Sequence, residues 1–262
     1  MQFKFKIQPY QTEAARAVTD VFAGQPNSGS LVYLRDFGRP ATKNGMEALA
    51  GFDAQLEATE GYANAPIALG TATLLENLNK VQRRNHLEES VSLAEGSAPV
   101  NIDVEMETGT GKTYVYTKTM LELNRLYGWS KFIVVVPSIA IREGVYKSLK
   151  NTEQHFFEQY GKAIRYFIYD SKRLGEIDAY SQSADINVMI INMQAFNTSM
   201  KENGKSKEAR IMYSERDEFG SRRPIDVIAA NHPIVIQDEP QKMGGDVTQK
   251  ALKNFNPLFS LN

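Results

Sequence analysis

Apolar residues fall along the chain in two textures, with the change near residue 99. Residues 9–23 carry Ala14, Ala15, Val18, Val21 and Phe22 at mixed three- and four-residue spacing, between Pro9 and Gly24. That spacing and punctuation predict a helix. Residues 25–72 lose the pattern. They hold Pro26-Asn27-Ser28-Gly29-Ser30, a short apolar run at Leu31-Val32-Tyr33-Leu34, then Gly38, Gly45, Gly51 and Gly61, and read as an insertion with one short strand. Residues 74–93 regain helical spacing through Leu75, Leu78 and Val81, and Arg83-Arg84 give that helix a modest basic face for which solvation is explanation enough.

Beyond Pro99, β-rich runs alternate with helical ones. Strands are predicted over residues 100–105, 131–136, 165–169, 186–191 and 234–237, and helices over 112–127 and 139–150. Phe132-Ile133-Val134-Val135-Val136 and Val188-Met189-Ile190-Ile191 are apolar on both faces, which marks strands covered by helices on each side of a parallel sheet. The expected fold class is therefore α/β, with a doubly wound layer. Residues 201–223 hold seven basic and five acidic residues with little periodicity, and read as a surface loop.

Composition acts mainly by exclusion. A chain of 262 residues, 42% hydrophobic and 23% charged, is long enough for one or two globular domains and is neither collagenous nor disordered. Lys and Arg number 30 against 31 Asp and Glu, a formal charge of −1, so no overall positive field draws in a polyanion and any nucleic-acid contact must be local. The absence of cysteine removes thiol catalysis and sulfur-ligated zinc, and His86, His155 and His232 lie too far apart in sequence to suggest a metal site. Met1-Gln2-Phe3-Lys4-Phe5-Lys6 lacks the apolar run of about 7–15 residues of a secretory signal. The densest apolar run, 132–136, is far short of the roughly 20 residues that cross a bilayer. A soluble cytoplasmic protein with no membrane partner is the expectation.

Two motifs carry chemistry. Glu107-Thr108-Gly109-Thr110-Gly111-Lys112-Thr113 follows one predicted strand and opens one predicted helix, the context a phosphate-binding P-loop requires. Gly109 and Gly111 allow the tight turn that aims N–H groups at a phosphate, with Thr108 before them and Thr110 between them, and the following helix adds its positive end. Lys112 would meet β- and γ-phosphates, and the Thr113 hydroxyl would ligate Mg²⁺. The general pattern places a further glycine at the position of Met106, a departure that narrows the class. The second motif, Asp238-Glu239-Pro240-Gln241, closes the apolar strand 234–237 at its carboxyl end, where open α/β sheets bind ligands. Neighbouring strand residues point to opposite faces, so the two acids should differ in role. Asp238 can hold hydrated Mg²⁺ opposite Thr113, and Glu239 can orient or deprotonate a water attacking the γ-phosphate.

With both motifs placed, the chain resembles the first RecA-like motor lobe of superfamily 2 helicases and translocases, nearest the Res subunit of type III restriction enzymes. Residues 106–113 are similar to motif I, Asp238-Glu239-Pro240-Gln241 to that family's variant of the DEAD box, and Ile7-Gln8-Pro9-Tyr10-Gln11 to the Q-motif, in which Gln11 would read the adenine edge. Val136-Pro137-Ser138 sits like motif Ia and Asn192-Met193-Gln194 like a later strand-end motif. The resemblance thus assigns DNA contacts to Pro137, Ser138, Asn192 and Gln194.

It implies a RecA-like P-loop three-layer sandwich around a mostly parallel central sheet, a single lobe over residues 1–262 interrupted by the amino-terminal insertion. It also implies ATP and Mg²⁺ as cofactors, and double-stranded DNA, a modification (methyltransferase) subunit and the rest of the Res polypeptide as partners. The whole enzyme would couple ATP hydrolysis to translocation and act as an endonuclease. A second motor lobe with its arginine finger and a nuclease domain have no room before Asn262, so the chain is expected to be an amino-terminal fragment or a truncated product with little activity of its own. A P-loop module that binds nucleotide or DNA without turnover, and another superfamily 2 lobe, remain open. Glu239-Pro240-Gln241 departs from the Glu-Ala-Asp of RNA helicases.

Overall fold

The structure, a computed structural model, describes residues 5–34, 60–193, 211–216, 222–243 and 246–262. The predicted helix near the start is α1 (Pro9–Val21), with proline in its first turn. It leads to strand β1 (Ser30–Leu34), which pairs antiparallel with β2 (Glu60–Asn64). Helix α2 (Thr71–Arg84) ends well before residue 93. Arg84 at its end meets Asp20 at 2.6 Å and Arg83 meets Glu89 at 3.0 Å, so the basic face is occupied by surface ion pairs.

The second half of the chain follows the alternation closely. Strand β3 (Asn101–Ile102) is short, and α3 (Lys112–Tyr127), β4 (Lys131–Val136) and β7 (Ile234–Gln237) keep the predicted bounds. Between β4 and β7 come α4 (Ile139–Tyr160), β5 (Ile164–Ile168), α5 (Gly175–Gln182), β6 (Ile186–Asn192) and α6 (Pro224–Ala230). A 3-10 turn (Pro240–Lys242), α7 (Asp246–Lys253) and β8 (Ser260–Leu261) complete the described elements. Helix α4 runs a further ten residues past Lys150 because Leu149, Thr152 and Phe156 keep the spacing of its buried face through a polar stretch.

The main sheet has six strands, ordered β3-β8-β7-β4-β6-β5, and every pairing in it is parallel. Period-two alternation divides its side chains between two cores. Phe132, Val134, Val136, Val188, Ile190, Ile234 and Ile236 join one cluster with residues of α1, α3 and α4. Ile133, Val135, Met189, Ile191 and Val235 join the other with residues of α5, α6 and α7. This is a three-layer α/β/α sandwich. Burying each such side chain is worth about 1.5–3 kcal/mol, which explains why β4, β6 and β7 can be apolar on both faces.

Residues on either side of 35–59 are stitched to the sheet's amino-terminal end. The buried Asn64 amide donates to Lys131 O and His232 O, both at 2.9 Å, and accepts from Ser130 N at 2.7 Å and Lys131 N at 3.0 Å. Trp129 donates its indole N–H to Ala65 O at 2.8 Å, and its ring packs on Phe22, Tyr127 and Phe259. Within segment 201–223, Met212 is wholly buried and Arg216 forms an isolated bridge with Arg222; residues 201–210 and 217–221 lie outside the described part.

Candidate functional site

Residues 107–111 join the end of β3 to α3 as a loop shaped by two left-handed glycines, Gly109 at φ +83° and Gly111 at φ +88°. Gly111 is the N-cap of α3, so Lys112 and Thr113 open the helix. The loop is braced from within and from α1. Thr110 donates its hydroxyl to Glu107 O at 2.6 Å. Its carbonyl accepts from Gln11 Nε2 at 2.9 Å and Tyr10 Oη at 3.0 Å. Across a trans peptide the carbonyl and the following N–H point in opposite directions, so anchoring Thr110 O towards α1 turns the Gly111 N–H away from it. Lys118, buried on α3, donates to Thr12 Oγ1 at 2.8 Å and holds α1 in register with the loop.

The acidic pair lies on the next strand but one, past the last residue of β7. The Asp238 N–H donates to Val135 O at 2.9 Å, extending the ladder by one rung. Burial, and then the Glu239 charge, raise the Asp238 carboxyl above its ordinary value; Lys112, the Tyr116 hydroxyl and Lys242 pull the other way. Lys112 and Asp238 therefore share one electrostatic environment although 126 positions separate them in sequence. Glu239 adopts φ +59°, a left-handed conformation uncommon outside glycine. The two acids diverge through this sharp turn, not through strand alternation, and the Glu239 carboxylate is ion-paired with Lys242 in the 3-10 turn that follows.

Between the two motifs opens a cleft of about 690 Å³, lined by residues that include Met106, Glu107, Lys112, Pro240 and Gln241. A smaller recess beneath it, about 80 Å³, is walled by Val104, Val115, Tyr116 and Leu261 and reaches Lys112 and Glu239. Among the described residues no group of three or more His, Asp or Glu side chains could hold a metal alone. The donor set present, one hydroxyl at Thr113 and one carboxylate at Asp238, suits a Mg²⁺ completed by phosphate oxygens and water. The residues fit a nucleotide-bound metal in a further respect. The buried Tyr116 hydroxyl faces Thr113 and Asp238 but completes a well-formed hydrogen bond with neither.

The residues assigned to DNA fall differently. Ser138 is the N-cap of α4, its Oγ accepting from Ile141 N at 3.3 Å, and Ile139 beside it is exposed. Pro137 is buried, and so is Asn192, which pairs with Val136 in the sheet register. Gln194 lies outside the described residues. Sequence reasoning passed over Tyr10 and Tyr116. The first stands next to Gln11, and the second lies four residues after Lys112, one helical turn along the same face, which was the available signal.

Comparison with known proteins bears on the same residues. The family described as "Type III restriction enzyme, res subunit" matches residues 4–262. The EcoPI Res subunit of a type III restriction-modification enzyme from Escherichia phage P1 is 31% identical over 209 residues, 75% of this chain and 21% of that protein. The StyLTI Res subunit of Salmonella typhimurium is 34% identical over 164 residues, 56% of this chain and 16% of that protein. The chain thus spans about a fifth of the length of the first of these relatives. A phosphate loop and an acidic pair on a parallel sheet, inside a match that covers nearly every residue, lead to one conclusion: the chain belongs to the family of type III restriction enzyme Res subunits and has its RecA-like P-loop α/β fold.

Proposed function

We propose that this lobe binds ATP with Mg²⁺ and serves as the first motor lobe of a type III restriction enzyme, in which nucleotide hydrolysis drives translocation along double-stranded DNA. The observation that carries the reading is that Lys112 acts on Asp238 and that Thr113 and Asp238 both face the Tyr116 hydroxyl, with Gly109 and Gly111 in the conformation an N–H cradle needs. Lys112 places a positive charge against the β- and γ-phosphates. Thr113 and Asp238 would hold the metal, and Glu239 would orient the attacking water. Bound there, Mg²⁺ supplies neutralisation of charge on the phosphate oxygens. Gln11 would face the adenine edge while its amide N–H reports to the loop through Thr110 O.

DNA would meet the amino-terminal end of α4, where Ser138 and the first-turn N–H groups can grip a phosphate. With a formal charge of −1, that contact should be weak, sequence-indifferent and salt-sensitive. Sequence recognition and cleavage would require a modification subunit and further Res domains, and the setting would be the cytoplasm. Among the described residues no helix is long and apolar enough to cross a membrane.

A second reading, a nucleotide-binding module without turnover, draws on the Glu239–Lys242 ion pair, which engages the carboxylate that would act on water. Fluorescent ATP-analogue binding with and without Mg²⁺, followed by single-turnover hydrolysis with protein in excess, separates the two. Mg²⁺-dependent binding with slow turnover supports the motor reading, binding alone supports the module, and no binding removes both.

A further inference from the structure

Tyr116 stands on α3 one turn after Lys112 and is 6% exposed. Its hydroxyl is shut off from solvent and has no well-formed hydrogen bond, although Thr113 and Asp238 both face it. A phenyl ring would fill the same space, against Val104, Val115, Ile236 and Leu261, without leaving a buried hydroxyl unsatisfied. The hydroxyl therefore completes no well-formed bond in the ligand-free fold, and its position between two prospective metal-holding groups says what it could serve.

We propose that the Tyr116 hydroxyl is a positioning group for the metal site, accepting a hydrogen bond from Thr113 and donating one to Asp238 when Mg²⁺-nucleotide is bound. This rests on the nucleotide-binding reading above. The donor arithmetic closes. A threonine hydroxyl that turns a lone pair to a metal must send its hydrogen elsewhere, and the phenol oxygen is the acceptor beside it. The phenol then has one hydrogen to give, and one Asp238 oxygen takes it, leaving the other for the metal's water shell. Lys112 and Lys242 are the cations acting on Asp238, and neither can replace an acceptor for Thr113.

The test uses the 262-residue chain, a fluorescent ATP analogue and a Mg²⁺ titration, on wild type, Tyr116→Phe, Asp238→Asn and the double variant. Tyr116→Phe should raise the Mg²⁺ midpoint for nucleotide binding about 10- to 100-fold, the loss of a hydrogen bond to a charged group. It should leave Mg²⁺-free nucleotide affinity within about twofold and the ligand-free melting temperature equal or higher. In the Asp238→Asn background the same change should have a smaller effect, the part carried through Thr113 alone; an effect as large as in wild type overturns the contact with Asp238. An unchanged midpoint overturns the role of Tyr116 alone. A Phe variant that fails to fold or melts well below wild type also overturns it, because the hydroxyl would then serve the ligand-free fold. Wild type that binds no nucleotide overturns the site reading, and this proposal with it.

Discussion

Gln11 and Gly111 touch across the gap between α1 and the phosphate loop: a Cβ added at Gly111 would lie 2.7 Å from Gln11 Nε2. The glycine is required twice, once for φ +88° and once for this approach. Gly111→Ala should cost about 1–3 kcal/mol of stability and abolish nucleotide binding, because the amide must release Thr110 O. Adding Gln11→Ala removes the collision but not the backbone strain, so chemical denaturation should show partial recovery. Full recovery, or none, would contradict one of the two causes.

Asn64 answers for the junction between β2 and the sheet. Its amide satisfies two backbone carbonyls and two backbone N–H groups, three of the four bonds buried. Asn64→Ala should therefore destabilise the chain by about 2–4 kcal/mol, far more than a surface substitution, because four backbone groups lose their partner. Urea unfolding checks this, and a loss below about 0.5 kcal/mol would mean that water replaces the amide.

Lys131 is fully buried, donates to Tyr180 O and Ser183 O, and lies over the Tyr180 ring. Burial lowers its amine from the ordinary 10.5 to about 7. Between these values the unfolded chain binds a proton that the folded chain has released. Stability contributed by this group therefore rises with pH across that window, by up to about 1.4 kcal/mol per unit, and is lost as pH falls towards 7. Lys131→Met should flatten the curve between pH 7 and pH 9 while lowering stability overall, since two carbonyls lose their donor. Parallel wild-type and variant curves would show that Lys131 stays charged in the fold.

Much of this molecule was legible because its signals are strong and local. Gly111-Lys112-Thr113 at a strand-to-helix junction has few other uses, and runs buried on both faces announce the central strands β4, β6 and β7. Strand β8, two residues long, is too short to show a period, and β2 contains Gly61 and no apolar alternation. The Gln11 contact with Thr110 joins residues 99 positions apart, which no local pattern reveals. Pro137 and Asn192 sit where motif positions suggest nucleic acid, yet the sheet buries them, because strand ends in this fold also serve the core.

Asp238 and Glu239 should separate in kinetics. On the proposed reading Asp238→Asn removes a charge that would hold the metal's water shell in the ground state, so the Mg²⁺ concentration needed for nucleotide binding should rise. Glu239→Gln should leave nucleotide Kd nearly unchanged and suppress hydrolysis in the whole enzyme, because on that reading its carboxylate would act on the attacking water only as the transition state forms. The reverse pattern would mean that the ion pair with Lys242 defines the role of Glu239 instead.

The central claim is that Lys112 meets nucleotide phosphates at the head of α3. The most direct test is the melting temperature of wild type and Lys112→Ala, each with and without Mg²⁺-ATP. A ligand that binds only the folded state stabilises it by mass action, about 2.7 kcal/mol at a hundred times Kd. Wild type should therefore gain several degrees with ATP, and Lys112→Ala, melting within a few degrees of wild type alone, should gain almost nothing. Equal ATP shifts in both proteins would contradict the account.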